Sequence, residues 1–378
     1  MDNLDHNYGV DILKCICMFM VVVLHVNSYA GGLSDNVFGT SISTSSWLLD
    51  ALCYAAVDCF AMTTGYLMID HIFLYRRVIP LWCQVLFYSV GWLCIFKCFF
   101  PNQTPTFGSY SFALYFAPAI GSRYWYFTAY FPLFFLIPFI NKCLISLSKM
   151  QYIGLLVTIL LLFSVLPTLW GTDAFRTNSG VSMIWLTCCY CFGGYIKKFG
   201  VPIIFRSCNT CFLLYLSCCL LTWISRISFP VFKEAFQLGE DTVKLYDRIF
   251  YQYVSPTTIL EAFAMLCLFT QIIIQRSYIK KTVKLFGQLS FGVYLAHMHP
   301  LVKQYWLKTF IPIIAADMRN SIGGGDSFFA TLIVVLGMST VIFCIGMTID
   351  LLRYRLFKMV GINRWVDIIA DKVVSNSK

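Results

Sequence analysis

Apolar stretches long enough to cross a lipid bilayer recur along the whole chain. The hydrocarbon core of a bilayer is about 30 Å thick, so a helix needs about 20 mostly apolar residues to span it. The ten stretches that meet this requirement cover residues 10–30, 48–69, 78–99, 124–140, 151–170, 181–198, 209–226, 250–275, 285–303 and 327–350. Within lipid, a helix satisfies all its backbone polar groups in one segment. The sequence therefore predicts an all-α integral membrane protein with about ten transmembrane helices.

Composition excludes a water-soluble fold. Of the 378 residues, 59% are hydrophobic and 12% charged, whereas a soluble domain carries about 25% charged residues. The net charge of +10 could suggest nucleic acid, but no basic arm or Lys/Arg cluster with interleaved aromatics accompanies it. We therefore expect the lipid bilayer, and no nucleic acid, as a partner. No internal repeat or low-complexity linker divides the chain, so residues 1–378 are predicted to form a single polytopic membrane domain.

The distribution of positive charge predicts the orientation of the helices. Cytoplasmic connections carry an excess of Lys and Arg, whereas the first connection assigned to the outer side, 31–47, has neither. Both termini are therefore predicted to be cytoplasmic. The acidic flank before the first span, without a clear cleavage site after it, predicts that this span is retained and is no signal peptide. The Lys and Arg residues assigned to the cytoplasmic side are Lys14, Arg76, Arg77, Lys142, Lys149, Lys197, Lys198, Arg206, Arg276, Lys280, Lys281, Lys284, Arg353, Arg355, Lys358, Arg364, Lys372 and Lys378.

The cysteines give no sign of a disulfide framework or a metal site. The chain has 17 cysteines, most of them inside apolar runs, where a thiol behaves as a small hydrophobic group. Cys15 and Cys17 form a CxC pair within a helix, and Cys188 to Cys191 lies in the middle of a span. No second pair and no histidine follow at zinc spacing. We expect neither disulfides nor a bound metal.

Ionisable residues inside the predicted spans are the first candidates for function. A charged side chain at the bilayer centre costs about 2.5–3.5 kcal/mol on insertion scales, so each one needs a reason. At 1.5 Å per residue, His25 and Asp58 lie about 16 Å from the cytoplasmic ends of their spans. His297 lies at about 18 Å and Glu261 at about 21 Å. Taken alone, either of the last two could be a hydrogen-bonded structural group between helices. The common depth of all four residues near mid-membrane favours a site.

A basic mouth is predicted at the cytoplasmic end of the first helix. Eleven residues at about 100° each place Lys14 and His25 within about 20° of one another, three turns apart. An anionic, phosphate-bearing donor bound at Lys14 could extend along this stripe to the histidine. Arg76 and Arg77 would add charge at the same mouth, or serve only as positive-inside anchors. Asp11 and Lys14 could also form an i,i+3 pair.

Short motifs recur in a fixed order along the first nine predicted spans. A basic residue and a histidine, Lys14 and His25, are separated by ten residues, and a Thr-Gly-Tyr sequence ends the second span. The segments are Gly9–Lys14 with His25, Val57–Phe60 with Thr64–Tyr66, Arg76–Pro80, Tyr124–Tyr126 with Pro138–Asn141, and Ser290–His297. In order and spacing they resemble the membrane acyltransferase-3 family. Thr64 stands where that family has serine, and Arg77 aligns with one of the two arginines of its cytoplasmic motif.

The resemblance implies an O-acyltransferase that needs no permanently bound cofactor. Members transfer an acyl group, usually acetyl from cytoplasmic acetyl-CoA, to a hydroxyl of a glycan or a lipid-linked saccharide. The expected acceptor is a surface polysaccharide or an undecaprenyl-linked unit in the cytoplasmic (inner) membrane of a bacterium. The chain is expected to act without the hydrolase-like domain that some members append. The acyl group, the sugar, the side of the membrane on which the acceptor is modified and the oligomeric state stay open.

By the same resemblance, His25 is the essential residue. Its imidazole is suited to take the proton of a sugar hydroxyl, or it could itself carry the acyl group. Asp58 is expected to orient the ring and stabilise the imidazolium. The donor's phosphates are assigned to Lys14, Arg76 and Arg77. The candidates for lining the site are Tyr66, Trp125, Glu261, Tyr294 and His297.

Two other classes of protein could place polar groups at this depth. A transporter or flippase for a saccharide or an organic anion would use them as a proton or substrate path, and it is expected to have two halves with matching Gly- or Pro-broken helices. The sequence has no such pair. A membrane sensor or assembly partner would use them only to hold helices together.

Overall fold

The structure is a computed structural model that describes residues 6–33, 39–70 and 78–362. All the regular elements in these ranges are helices. The α-helices in chain order are α1 (Tyr8–Asn27), α2 (Ser41–Cys53), α3 (Ala56–Met68), α4 (Val78–Phe99), α5 (Tyr110–Ala113), α6 (Trp125–Ser146), α7 (Lys149–Leu160), α8 (Leu166–Trp170), α9 (Met183–Phe199), α10 (Cys208–Ala235), α11 (Glu240–Tyr246), α12 (Pro256–Thr270), α13 (Ser277–His297), α14 (Lys308–Gly323) and α15 (Phe328–Val360). The π-helical segment Leu161–Val165 joins α7 to α8. A second π-helical segment, Val302–Leu307, leads into α14. The all-α prediction is confirmed.

Seven helical segments are long and apolar enough to cross a membrane. They are Tyr8–Asn27, Ser41–Met68, Val78–Phe99, Trp125–Ser146, Lys149–Trp170, Cys208–Ala235 and Phe328–Val360. The predicted spans 181–198, 250–275 and 285–303 correspond to α9, α12 and α13, of which α12 is an apolar helix of only 15 residues. The chain is thus a multi-pass membrane protein. The count of ten and the orientation of the termini stay predictions.

Several helices extend beyond the predicted spans, and one predicted connection contains a helix. Helix α13 begins at Ser277 and not near 285, because the basic turn containing Lys280, Lys281 and Lys284 is helical although it is not apolar. Helix α15 continues ten residues beyond the predicted end, to Val360. The predicted connection 304–326 is largely helical and contains α14. Hydropathy identifies the apolar part of a helix that lipid can surround. It does not detect polar turns at the end of the same helix.

Helix α1 lies at the centre of the bundle and is fixed at both ends. It packs against α2, α3, α12, α13 and α15. At its start the Asn7 side chain accepts a hydrogen bond from the Val10 amide and donates one to the backbone oxygen of Thr270, at 2.9 Å. At its end the Asn27 side chain donates to the backbone oxygen of Ser46, at 2.8 Å. These bonds fix the position of every side chain on α1.

Helices α3 and α9 approach each other through glycines. A Cβ atom added at Gly193 would lie 1.7 Å from the backbone oxygen of Met62, and one added at Gly65 would lie 2.0 Å from that of Tyr190. Small residues let helix backbones pack closely in a membrane, where apolar side chains gain little by leaving lipid. The sequence therefore requires glycine at both positions for this pairing.

A buried ion pair within α15 is hydrogen-bonded to α4. The Asp350 carboxylate accepts hydrogen bonds from the Arg353 guanidinium at 2.6 and 2.9 Å and from the Tyr88 hydroxyl at 2.8 Å. The sequence did not predict this pair, since Asp350 lies at the predicted end of the last span. Charges buried in a membrane protein are normally paired in this way.

Candidate active site

A cavity of about 240 Å³ lies between α1, α2, α3, α6 and α13. Apolar and aromatic side chains form most of its wall, with a few polar groups among them, as in many small-molecule sites. The lining residues are Met18, Val21, Leu24, His25, Ser28, Leu33, Asp50, Tyr54, Val57, Phe60, Trp125, Tyr126, Tyr253, Phe291 and Tyr294. The predicted residues His25, Trp125 and Tyr294 are thus brought together in one cavity.

Two histidines from different helices meet at this cavity. Helix α1 brings His25 in its last turn, and α13 ends at His297, which is buried. Nδ1 of His25 lies 2.9 Å from Nε2 of His297, and Nδ1 of His297 lies 2.6 Å from the backbone oxygen of Val293. Both histidines lie at helix ends, and their depth near mid-membrane stays a prediction.

This hydrogen-bond chain assigns the proton on each neutral ring. A carbonyl oxygen only accepts, so Nδ1 of His297 carries the proton and donates to Val293. Nε2 of His297 is then an acceptor, and Nδ1–H of His25 donates to it. Nε2 of His25 is left unprotonated, and no described residue donates a hydrogen bond to it. His25 lines the cavity, and its Nε2 is free to accept a proton.

Asp58 does not perform the orienting role predicted for it. Its carboxylate is fully buried and accepts a hydrogen bond from the indole N–H of Trp185, at 2.9 Å. No hydrogen bond between described residues joins Asp58 to His25, whose Nδ1 is occupied by His297. Asp58 lies on α3 facing α9, because its partner indole belongs to α9. The side chain that bonds to the His25 ring is His297.

Glu261 is buried away from the cavity. It lies on α12, and neither of its carboxylate oxygens accepts a hydrogen bond from a described nitrogen or hydroxyl group. The next residue on α12, Ala262, accepts a hydrogen bond from the Cys59 thiol of α3, at 3.7 Å. The four ionisable residues therefore separate into the two histidines at the cavity and two carboxyl groups beside the α3–α12 contact.

At the other end of α1, Lys14 is paired. The Asp11 carboxylate lies 3.1 Å from Nζ of Lys14 and 2.6 Å from Nε2 of His6. The alternative of an i,i+3 pair is thus present, and Lys14 still keeps about a quarter of its side chain exposed. Arg76 and Arg77 lie outside the described residues.

Tyr66 belongs to this same end of the molecule. Its hydroxyl accepts a hydrogen bond from the Asn7 side chain at 3.3 Å, and Nζ of Lys197 lies 5.5 Å from its ring centre. It does not line the cavity beside His25. The sequence prediction was wrong here because Tyr66 lies two residues from the end of α3, at the end of that helix remote from the cavity.

One face of α1 leads from Lys14 to the cavity. Lys14, Met18, Val21 and His25 follow at helical spacing, and the last three line the cavity. Met18 and His25 are seven residues apart, so the cavity follows α1 for about 10 Å towards Lys14. The predicted stripe between a cation and the histidine therefore has open space along part of its length.

Two polar features of the wall were not predicted from the sequence. Asp50 is a buried carboxyl group on α2, and Tyr253 precedes α12. The Tyr253 ring stacks on Trp125 at 5.9 Å and on Tyr54 at 4.9 Å. Asp50 was detectable as an acidic residue inside the predicted span 48–69. Tyr253 gave no signal, because tyrosines are common at membrane interfaces.

A scan against models of protein families decides the class. The model described as an acyltransferase domain matches residues 7–349, which include both histidines and the whole cavity wall. The chain belongs to the acyltransferase-3 family. This membrane acyltransferase has no match among the curated proteins or the solved structures that were searched. The resemblance inferred from the motifs is thereby confirmed.

Proposed function

We propose that this protein is an O-acyltransferase in which His25 activates the acceptor. The acceptor hydroxyl belongs to a glycan or a lipid-linked saccharide, and the donor is cytoplasmic acyl-CoA, in particular acetyl-CoA. The hydrogen-bond chain from His25 through His297 to the Val293 oxygen supports this role, because it leaves Nε2 of His25 unprotonated at the cavity. A hydroxyl is a poor nucleophile until a base takes its proton, and neutral imidazole does so near pH 7.

The proposed step is a direct transfer. Nε2 of His25 takes the hydroxyl proton while the oxygen attacks the thioester carbon, and a tetrahedral oxyanion forms. The C–S bond then breaks, and the proton passes from His25 to the departing CoA sulfur. Throughout, Nδ1–H of His25 stays bonded to His297, which holds the ring in one orientation. The ester product and free CoA balance the reaction.

Tyr294 is proposed to stabilise the oxyanion. Its hydroxyl oxygen accepts a hydrogen bond from the backbone amide of Tyr126, at 3.3 Å. The hydroxyl proton is therefore not needed for that bond and can be donated into the cavity that Tyr294 lines. Pre-oriented donors aimed at developing charge are usually the largest single contribution to acyl transfer.

The donor is proposed to enter from the Lys14 end of α1. Lys14, with Arg76 and Arg77, would hold its phosphates by charge. Its thioester arm would follow the face of Met18 and Val21 to His25, about 16 Å from Lys14 by helical rise. The predicted orientation of the helices puts this end in the cytoplasm, where acyl-CoA is made. The setting proposed is the cytoplasmic membrane of a bacterium.

The test is acyl consumption by membranes that contain the protein, given labelled acetyl-CoA and a saccharide acceptor. We expect His25→Ala to lower turnover at least about 100-fold, the usual scale of general acid–base catalysis. His299→Gln is the matched control, because His299 is buried nearby, bonds to the Ser89 oxygen at 3.2 Å and does not line the cavity. Retained turnover in correctly inserted His25→Ala would end the proposal, and saccharide transport without acyl consumption would favour the transporter.

A further inference from the structure

A second cavity, of about 370 Å³, adjoins the first. Trp125 and Tyr294 line both cavities, so the two share part of their wall. The residues that line it are Ser122, Arg123, Trp125, Tyr294, Met298, Pro300, Lys303, Gln304 and Lys308. It lies between the start of α6 and the segment after α13, at the end of the bundle that holds His25 and His297.

The wall of this second cavity carries three cations without a counter-charge. Arg123, Lys303 and Lys308 line it, and its nine lining residues include no Asp or Glu. Among the described residues, none of the three forms an ion pair within 4 Å. Lys303 lies close enough to Lys308 for their positive charges to repel each other. An anion in the cavity would relieve this repulsion.

Contacts with neighbouring groups orient two of these cations. The Arg123 guanidinium donates to the Ser111 backbone oxygen at 2.7 Å and lies 4.1 Å from the centre of the Tyr115 ring. Lys308 donates to the Gln304 side chain at 3.2 Å. The second cavity therefore has a definite polar wall and is more than a patch of exposed lysines.

A π-helical segment explains why both lysines face this cavity. Lys303 and Lys308 are five residues apart, which in a regular α-helix would turn them about 140° from each other. The segment Val302–Leu307 is π-helical, and its i→i+5 bonds reduce this angle. Single π-turns are rare in proteins, and those that occur are frequently found at functional sites. The irregular turn thus serves to gather positive charge beside the active cavity.

We propose that this second cavity binds a phosphate or pyrophosphate group of the acceptor, as in a lipid-linked saccharide. Two lysines and one arginine suit a phosphate-type anion. The shared wall would let a sugar hydroxyl reach Nε2 of His25 while the charged group stays in the second cavity. This assignment depends on the proposed function and names its acceptor. The donor also carries phosphates, but its proposed site is the Lys14 end of α1, remote from this cavity.

The first test measures binding of inorganic pyrophosphate to the purified full-length protein by calorimetry. The Lys303→Gln/Lys308→Gln double variant is expected to bind at least about tenfold more weakly. Lys97→Gln/Lys233→Gln is the matched control, because it removes two exposed lysines outside the cavity. Equal weakening in both variants, or unchanged binding in the first, would overturn the proposal.

The second test compares two acceptors, a polyprenyl-pyrophosphate-linked saccharide and the same saccharide without the pyrophosphate. The double variant is expected to lose at least about tenfold of the preference in kcat/KM for the linked acceptor, with donor KM within about twofold of the native value. A rise in donor KM alone would assign the cations to the donor and contradict the proposal. Pyrophosphate binding without acyl turnover by the native protein would instead refute the proposed function and leave the anion site standing.

Discussion

At the scale of single residues, the decisive feature is the partner that each buried polar group finds. His25 and Asp58 look equivalent in the sequence, one ionisable side chain in each of two neighbouring spans. In the structure, Nδ1 of His25 bonds to His297, whereas Asp58 bonds to Trp185. A hydrogen bond to Nδ1 determines what Nε2 can do, so under the proposed function His297 positions His25. Asp58 instead links α3 to α9.

His297 can be tested as a positioning residue. Because His297→Ala removes the acceptor for Nδ1–H of His25, we expect turnover to fall about 10- to 100-fold, the scale for groups that orient a functional histidine. His297→Gln, whose amide oxygen can accept the same bond, should recover part of the loss in kcat. The measurement is kcat and KM with labelled acetyl-CoA, and Glu261→Gln is a control outside the cavity. Equal loss in the Ala and Gln variants would mean that His297 only fills space.

Asp58 yields the opposite prediction. Asp58→Asn keeps an oxygen for the Trp185 indole, so turnover should stay within about twofold of the native value. Asp58→Ala leaves the buried indole N–H unpaired, which typically costs about 1–3 kcal/mol, so less folded protein should accumulate. Thermal unfolding in detergent and turnover per folded molecule separate the two effects. A loss of turnover of about 100-fold in Asp58→Asn would contradict this prediction and indicate that the carboxylate takes part in the reaction.

The sequence was sufficient to propose His25, Trp125, Tyr294 and His297 as site residues. Their side-chain types and their positions in the predicted spans were enough to select them. It could not supply the bond between His25 and His297, which are 272 positions apart, because depth along a helix does not say which faces meet. The aromatic stack on Tyr253 could not be predicted from the sequence for the same reason.

At the scale of helices, close packing between α3 and α9 supports one wall of the cavity. Hydropathy predicts that both segments cross the bilayer, and most of the predicted spans coincide with helices. It says little about pairing, because all membrane helices are apolar. The glycine positions carry the pairing information, and only coordinates identify the backbone that each glycine meets.

Gly193→Ala tests this pairing. The added Cβ would meet the Met62 backbone oxygen at 1.7 Å, and backbone cannot turn aside as a side chain can. We expect a destabilisation of about 1–3 kcal/mol, typical of overpacking, visible as a lower unfolding temperature. Gly91→Ala in α4 is the matched control, since its added Cβ would meet no atom of another helix within 4 Å. Equal unfolding temperatures for the two variants would contradict the close approach.

At the scale of the whole molecule, two groups of basic residues lie at opposite ends of the bundle. Lys14 lies near the start of α1, beside Asp11 and close to the end where Asn7 bonds to Tyr66. Arg123, Lys303 and Lys308 lie near the opposite end, next to the two histidines. Under the proposed function, donor and acceptor approach the cavity from different ends, so they do not compete for one entrance.

Lys14→Ala is expected to weaken donor binding more than chemistry. Lys14 is about 16 Å from His25 by helical rise and cannot touch the reacting atoms. The KM for acetyl-CoA should rise about 10- to 150-fold while kcat stays within about threefold, because a charge-assisted bond to phosphate contributes about 1.5–3 kcal/mol. Steady-state kinetics at fixed acceptor would measure both. A fall in kcat with unchanged KM would contradict the donor-binding role.

The anchoring of α1 at Asn7 and Asn27 has a consequence for donor choice. With both ends tied to neighbouring helices, the separation between Lys14 and His25 cannot stretch or shrink to suit the substrate. A thioester whose carbonyl lies too near its own phosphates would fail to reach the imidazole. The molecule would then discriminate between activated acids by the length of their carrier, before the identity of the acid matters.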